Sequence, residues 1–294
     1  MTRAGARSES DPSRGAPAPG SRPDSLLIAL DIDGTVLLED ESFSPGAREA
    51  VRGAVRGGHI VTLATGRSWE ATHPVLGWLG LTPAYVVCAN GATIMERDVT
   101  QETDYRRHTI ETFDATAVLS HLEQHLPDAN YMVELGDGTR LFNTFMDDWD
   151  LSRPNARRAT IAEMKGLPVT RVVVVSPEHD NVEFVGFVER MGLQQVSYAV
   201  GWSAWLDIAP QGIDKSTALE QVREMLGVER ERVVVMGDGR NDVQMLDWAR
   251  RGGGAAVVMG QAVPEVLEHA SQTTGTVHEG GVAQALRAVG AVGE

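Results

Sequence analysis

The chain has 294 residues, 42% of them hydrophobic, enough for one large core or two smaller ones. Lys and Arg total 26 against 41 Asp and Glu, a formal charge of −15 that argues against a general nucleic-acid or anionic-membrane binder, whose footprint is basic. An anionic small substrate stays open, because a metal ion and a few placed donors can dominate a local field.

Residues 1–24 are Ser, Pro, Gly, Ala and Arg with almost nothing apolar, and a disordered tail is expected there. No hydrophobic stretch follows the early arginines, so this is not a secretory signal. Leu26 to Leu30 then drives into Asp31-Ile32-Asp33-Gly34-Thr35, which reads as a buried parallel strand ending in two carboxylates. Ser44-Pro45 is expected to cap a helix carrying Ala47, Ala50, Val51, Ala54 and Val55, closed by Gly57-Gly58. His59 to Ala64 and Ala84 to Ala89 are two further strands, ending in Thr65-Gly66-Arg67 and Asn90-Gly91-Ala92. This alternation implies right-handed crossovers and a parallel sheet.

The pattern changes over residues 94–207. Phe113 to Leu126 reads as an amphipathic helix, Tyr131 to Asn143 as a hairpin turning at Gly136-Asp137-Gly138, and Val172 to Val175 as a strand. Val182 to Met191 reads as a helix, and Val196 to Ile208 as one or two strands. Strands and helices without strict alternation suggest an inserted α+β unit. The alternating pattern resumes with a helix from Lys215, a strand Val233 to Met236 ending in Gly237-Asp238, a helix from about Asn241 and a strand Ala255 to Met259. Pro264 to Ala270 and Gly281 to Val289 read as helices. No apolar stretch reaches transmembrane length, and the lone cysteine, Cys88, lies in an apolar strand where buried filler suits it better than a nucleophile. A single cysteine excludes an internal disulfide and suits a reducing, cytoplasmic location.

Ligands in open α/β sheets bind beyond the carboxyl ends of the strands. Asp31 and Asp33 at such an end suit either a site that holds a hard cation and attacks phosphorus, or an Asp-Gly turn. Lys215 stands at a helix start, where the helix dipole disfavours a cation, so a functional reason for it is expected. Asp238 follows a buried strand as Asp31 does. The 8 histidines show no metal-ligand spacing, so zinc is not expected.

Taken in order, Asp31-Ile32-Asp33-Gly34-Thr35, Thr65-Gly66-Arg67, Lys215 and Gly237-Asp238-Gly239-Arg240-Asn241-Asp242 resemble the haloacid dehalogenase superfamily of phosphohydrolases. Ala64-Thr65-Gly66-Arg67, Asn90-Gly91-Ala92, Gly212-Ile213-Asp214-Lys215 and Met259-Gly260-Gln261-Ala262 resemble the secondary signatures of its Cof-type branch. The resemblance implies an α/β fold, a Rossmann-like parallel core (25–93 and 208–294) with an α+β cap of the C2 type (94–207). It implies Mg²⁺-dependent hydrolysis of a small phosphomonoester, such as a sugar phosphate, through an aspartyl-phosphate. Asp31 would be the nucleophile and Asp33 the general acid and base, its side chain left free because its backbone carbonyl serves the metal. Asp238 would be a third metal ligand; Asp242 would support the metal or cap the next helix. Lys215 would offset charge on Asp31 and the phosphoryl oxygens. Gly34, Thr65, Gly66, Arg67, Asn90 and Asn241 would line the phosphate and substrate side, Asn241 also supporting the metal or its waters; a strand-end turn is the competing role for Thr65 and Asn90, and a solvated arginine for Arg67. Two departures stand out: the branch usually has Asn where Gln261 stands and Asp where Gly280 stands, and neither position is expected in the core machinery.

A phosphotransferase or mutase on the same site, or a catalytically idle ligand-binding protein of this fold, are the rival readings. The mark of the idle protein would be loss of Asp31, Asp33, Lys215 or Asp238, and all four are present. Neither the individual substrate nor the oligomeric state is legible at this level.

Overall fold

A computed structural model describes residues 24–146, 151, 154–177, 184, 186, 188, 196–200 and 205–293. The tail expected over 1–24, apart from Asp24, lies outside these residues, as does most of the helix expected over Val182 to Met191. Among the described residues no helix is long and apolar enough to cross a membrane.

The central sheet is parallel and has β1 (Leu27–Leu30) at its heart, flanked by β2 (Ile60–Leu63) and β13 (Val233–Gly237). Beyond β13 lie β14 (Ala255–Val258) and β15 (Gln272–Thr273). All four residues of β1 are fully buried because both faces of the sheet are covered. Ile28 and Leu30 join a cluster with the helices Ala47–Arg56, Trp69–Leu79 and Gly281–Ala288. Leu27 and Ala29 join another, with the helices Lys215–Leu226 and Val243–Arg251. Burying each large apolar side chain contributes roughly 1.5–3 kcal/mol, so this strand is both the hydrophobic and the topological centre.

On the far side of β2 the sheet continues into β3 (Tyr85–Cys88) through a parallel bridge between Ala64 and Val87, reinforced by Thr65 N–H donating to the Val87 carbonyl at 3.0 Å. Here the structure departs from the expected boundary at residue 94. β4 (Thr93–Arg97) pairs antiparallel with β3, and β5 (Tyr105–Ile110) pairs antiparallel with β4, so both lie in one sheet with β3. A second departure is the start of the first helix. Gly46, left-handed at φ 73°, is its N-cap, and the Ser44 hydroxyl donates instead to the Val277 carbonyl at 2.6 Å.

The insert has its own sheet, which starts at β6 (Phe113–Asp114) and ends with β12 (Trp205–Pro210). Between them run β7 (Asn130–Leu135), β8 (Arg140–Phe142), β9 (Ala156–Arg158), β10 (Pro168–Val175) and β11 (Val196–Val200). Their spatial order is β11-β12-β10-β7-β8-β9, with β6 also on β10. Phe113 and Asp114 therefore belong to a strand, and the expected helix runs over Thr116–His125 only. Tyr131, Val133, Val172, Val174, Leu206 and Ile208 face that helix, while Met132, Phe142 and Val173 form a smaller cluster on the opposite face.

Core loops meet closely beneath the insert. Gly91 has φ 98°, and a Cβ there would lie 2.1 Å from the Asp214 carbonyl oxygen, the residue that caps the Lys215 helix. Gly91→Ala is expected to cost about 2 kcal/mol or more, since it meets both strain and a backbone clash. Gly77→Ala, exposed in a helix with nothing within 4 Å of the new methyl, is expected to gain about 0.5–1 kcal/mol. Urea unfolding of the two variants checks the pair; equal effects would contradict the packing.

Candidate active site

The carboxyl ends of β1 and β13 place Asp31 and Asp238 side by side, because the two strands run in register with Leu30 opposite Met236. The Asp31 N–H continues the ladder, donating to the Met236 carbonyl at 2.9 Å. Lys215 reaches in from the first turn of its helix. Its Nζ donates to Asp31 Oδ1 at 2.7 Å and to Asp242 Oδ1 at 2.6 Å, and its side chain is fully buried. The start of that helix does not depend on Lys215, because Asp214 caps it by accepting from the Ser216 and Thr217 N–H groups.

Asp242 is expected either to support a metal or to cap a helix. Its Oδ2 accepts from the Asp238 and Gly239 N–H groups at 3.0 and 2.9 Å, so it closes the turn that carries Asp238 while its other oxygen holds Lys215. Asp31, Asp238 and Asp242 each offer an oxygen within 4.8 Å of the others, and all three are buried. Burial and the neighbouring Asp242 push the Asp31 carboxyl well above its ordinary range. The same causes push Asp238 up to about 7. Burial pulls the Lys215 ammonium down, but Asp242 and Asp31 outweigh it and hold it above its ordinary value. Three carboxylates against one ammonium leave uncompensated negative charge on an all-oxygen donor set, which fits a hard divalent cation.

Asp33 contributes no side-chain oxygen to this group. Its carboxylate was expected to be free; instead it is forked by Arg67, with Nη2 to Oδ1 at 2.6 Å and Nε to Oδ2 at 3.0 Å. Arg67 also holds Glu41 at 3.1 Å. The pair sits at the mouth of the site, with the Asp33 side chain 58% exposed and that of Arg67 19%. Arg67 is thus engaged with two protein carboxylates.

Thr65 is fully buried, and its hydroxyl accepts from the Arg67 N–H at 3.1 Å, which tightens the Thr65-Gly66-Arg67 turn. The Gly66 carbonyl accepts from Arg171 of the insert. Asn90 is left-handed at φ 50°, with Nδ2 donating to Asp207 Oδ2 at 2.9 Å and Oδ1 accepting from Asn241 Nδ2 at 3.1 Å. Asn90 and Asn241 are therefore joined to each other and to the insert. Gly34 lies so close to Asp238 that a Cβ would fall 2.2 Å from its Oδ2.

Gln261 corrects the expectation that it stands apart from the machinery. Its Nε2 donates to the Gly34 carbonyl at 2.6 Å and to Asp238 Oδ2 at 3.3 Å, and its Oε1 accepts from the Val277 N–H at 2.9 Å. It laces the ends of three loops around Asp238. Gly280 has a local explanation: at φ 77°, with a Cβ 2.5 Å from the Pro45 carbonyl, the position admits no side chain. Sequence reading also missed Arg140, Arg171 and Glu134, which are buried, and Asp207, which is nearly so, charges on the face of the insert toward these loops. Their only sequence signal is a charge within an otherwise apolar strand.

Residues 28–286 match the family model of haloacid dehalogenase-like hydrolases. A 5-amino-6-(5-phospho-D-ribitylamino)uracil phosphatase of Bacillus subtilis is 27% identical over 266 residues, covering 89% of this chain and 96% of the relative. A pyridoxal phosphate phosphatase of Escherichia coli is 28% identical over 278 residues, covering 88% and 96%. A solved HAD subclass IIB sugar phosphatase shares the fold, with a TM-score of 0.73 at 17% identity over 91% of this chain and all of that one. Matched over most of its length and carrying its acidic cluster at the strand ends, the chain belongs to the haloacid dehalogenase-like hydrolases, in their Cof-type phosphatase branch.

Proposed function

We propose that this chain hydrolyses small phosphomonoesters with the help of Mg²⁺, forming and then breaking an aspartyl-phosphate on Asp31. The observation that carries the reading is the buried Asp31–Lys215–Asp242 chain, with Asp238 beside it, at the carboxyl end of the central strand. The relatives act, by name, on a phosphoribityl pyrimidine and on pyridoxal phosphate, so phosphorylated metabolites of that size are the substrates assigned. Residues 113–210 are assigned as the cap and the remainder from Ser25 onward as the catalytic core.

Asp31, the Asp33 carbonyl and Asp238 are the groups assigned to hold the cation, with Asp242 bracing both the turn and the lysine. A bound Mg²⁺ supplies neutralisation of phosphoryl charge, without which one anion attacks another poorly. Lys215 orients the Asp31 carboxylate and offsets charge on it. An Asp31 oxygen bonds to phosphorus as the leaving oxygen departs, and Asp33 gives that oxygen its proton. Asp33 then takes a proton from the water that attacks the acyl phosphate, regenerating Asp31 and releasing phosphate. To act so, Asp33 must exchange its fork with Arg67, which keeps Glu41 as a partner. Gln261 holds Asp238 against Gly34 and so sets one ligand of the cation.

A phosphate-release screen over phosphorylated metabolites, with and without Mg²⁺, tests the reading. Asp31→Asn is expected to lower turnover about 10³-fold or more, and EDTA to abolish it. Turnover that survives both would sink the mechanism. Asp33→Asn is expected to slow the reaction by about 10²–10⁴-fold, most for substrates with poor leaving groups; equal loss for good and poor leaving groups would remove its acid role. Calorimetric titration of Gln261→Met with Mg²⁺ is expected to show binding weakened about 10–100-fold, whereas wild-type affinity would leave Gln261 a loop tie only.

A further inference from the structure

The face of the insert toward the core carries a row of alternating charge. Arg140 on β8 is opposite Glu134 on β7, and Glu134 is opposite Arg171 on β10. Asp207 on the next strand, β12, pairs with Arg171 at 3.5 Å. Glu134 lies 3.3 Å from Arg171 Nε and 3.7 Å from Arg140 Nε. All four are buried or nearly so, on a face of the sheet that also carries Met132, Phe142 and Val173.

Such a row is a poor source of stability, because the cost of desolvating buried charges offsets most of their attraction, and apolar replacements are often as stable. Its purpose must be sought in what its members grip. Arg140 Nη2 donates to Ser68 Oγ at 2.7 Å and to Glu70 Oε2 at 3.0 Å. Arg171 donates to the Gly66 carbonyl. Asp207 accepts from Asn90. These grips fall on the segments that follow β2 and β3, from Gly66 to the first turn of the Trp69–Leu79 helix and at Asn90.

The Asp207 end leads furthest. A carboxylate only accepts, so Asn90 must turn its Nδ2 toward Asp207 and its Oδ1 toward Asn241. Asn241 sits in the short turn Arg240–Asp242, between Gly239 and the residue that holds Lys215 and the Asp238 N–H. We infer that Asp207, carried by the insert, is a positioning residue for the catalytic centre, acting through the Asn90 amide on the turn that bears Asp238 and Asp242. The inference rests on the phosphatase reading for its consequence in turnover, but not for the linkage itself.

The test uses p-nitrophenyl phosphate, a substrate that offers the insert few polar groups, together with calorimetric titration by Mg²⁺. Asp207→Ala is expected to lower kcat about tenfold or more with KM within about twofold, and to weaken Mg²⁺ binding by a similar factor. Asp207→Asn, whose amide oxygen still accepts from Asn90, is expected to recover most of both. Adding Asn241→Ala to Asp207→Ala is expected to cost little beyond the larger single effect, as for residues in one chain. The idea is overturned if folded Asp207→Ala keeps wild-type kcat and Mg²⁺ affinity, or if Asp207→Asn is as damaged as Asp207→Ala. Should the alanine variant not fold, Asp207→Leu with Arg171→Met removes both charges together, and wild-type Mg²⁺ affinity in that protein is equally fatal. The titration needs no turnover, so it decides the linkage even in a protein that releases no phosphate.

Discussion

One ammonium holds the centre of this molecule together. Lys215 is buried between Asp31 and Asp242, and without it three buried carboxylates would face one another uncompensated. Burial alone makes an ionised carboxylate costly, and mutual repulsion adds to the cost. A lysine at the first turn of a helix also works against the helix dipole. The fold bears both costs at the same point, and supplies an aspartate cap at residue 214 so that the helix still starts there. Such a concentration of unfavourable terms is characteristic of a site shaped for reactivity rather than for stability.

The approach of backbone to side chain is the second condition. Asp238 rests against Gly34, and the Asn90-Gly91 turn rests against the Asp214 carbonyl, at separations that leave no room for a methyl group. These contacts bring the loops after four separate strands or helices to one place. Gln261 then ties Gly34, Asp238 and Val277 with a single amide whose orientation is set by its partners: its NH₂ faces two acceptors and its oxygen faces an N–H. Rigidity of this kind keeps a carboxylate in position before any cation or substrate arrives.

Among the described residues, the insert meets this frame through polar contacts. Its outer face packs a helix by ordinary hydrophobic burial, whereas its inner face brings Arg140, Glu134, Arg171 and Asp207 to the core loops. Directional hydrogen bonds to Ser68, Gly66 and Asn90 define one seating, where apolar surfaces would tolerate several. A polar seam is also easier to part than a dry core, which suits a cover that must admit substrate.

Much of the core was legible in the sequence, because the signals there are local. A four-residue apolar strand buried on both faces reads as such from Leu27 to Leu30, and the motif residues Asp31, Thr65, Lys215 and Asp238 stand at strand ends or helix starts that periodicity alone locates. The sequence by itself determined that these residues would converge, since parallel strands joined by right-handed crossovers bring their carboxyl ends to one edge. It did not determine the partners of long side chains. That Arg67 forks Asp33, that Gln261 reaches Asp238, and that Asn90 joins Asn241 to Asp207 are contacts across 34, 23, 151 and 117 positions of chain. Nor could periodicity assign β4 and β5 to the sheet of β3, because an antiparallel strand reads alike whichever sheet takes it up; only the pairing of β4 with β3 and of β5 with β4 decides it. Local pattern specifies the elements, and the choice of partner at their ends is made by packing in three dimensions.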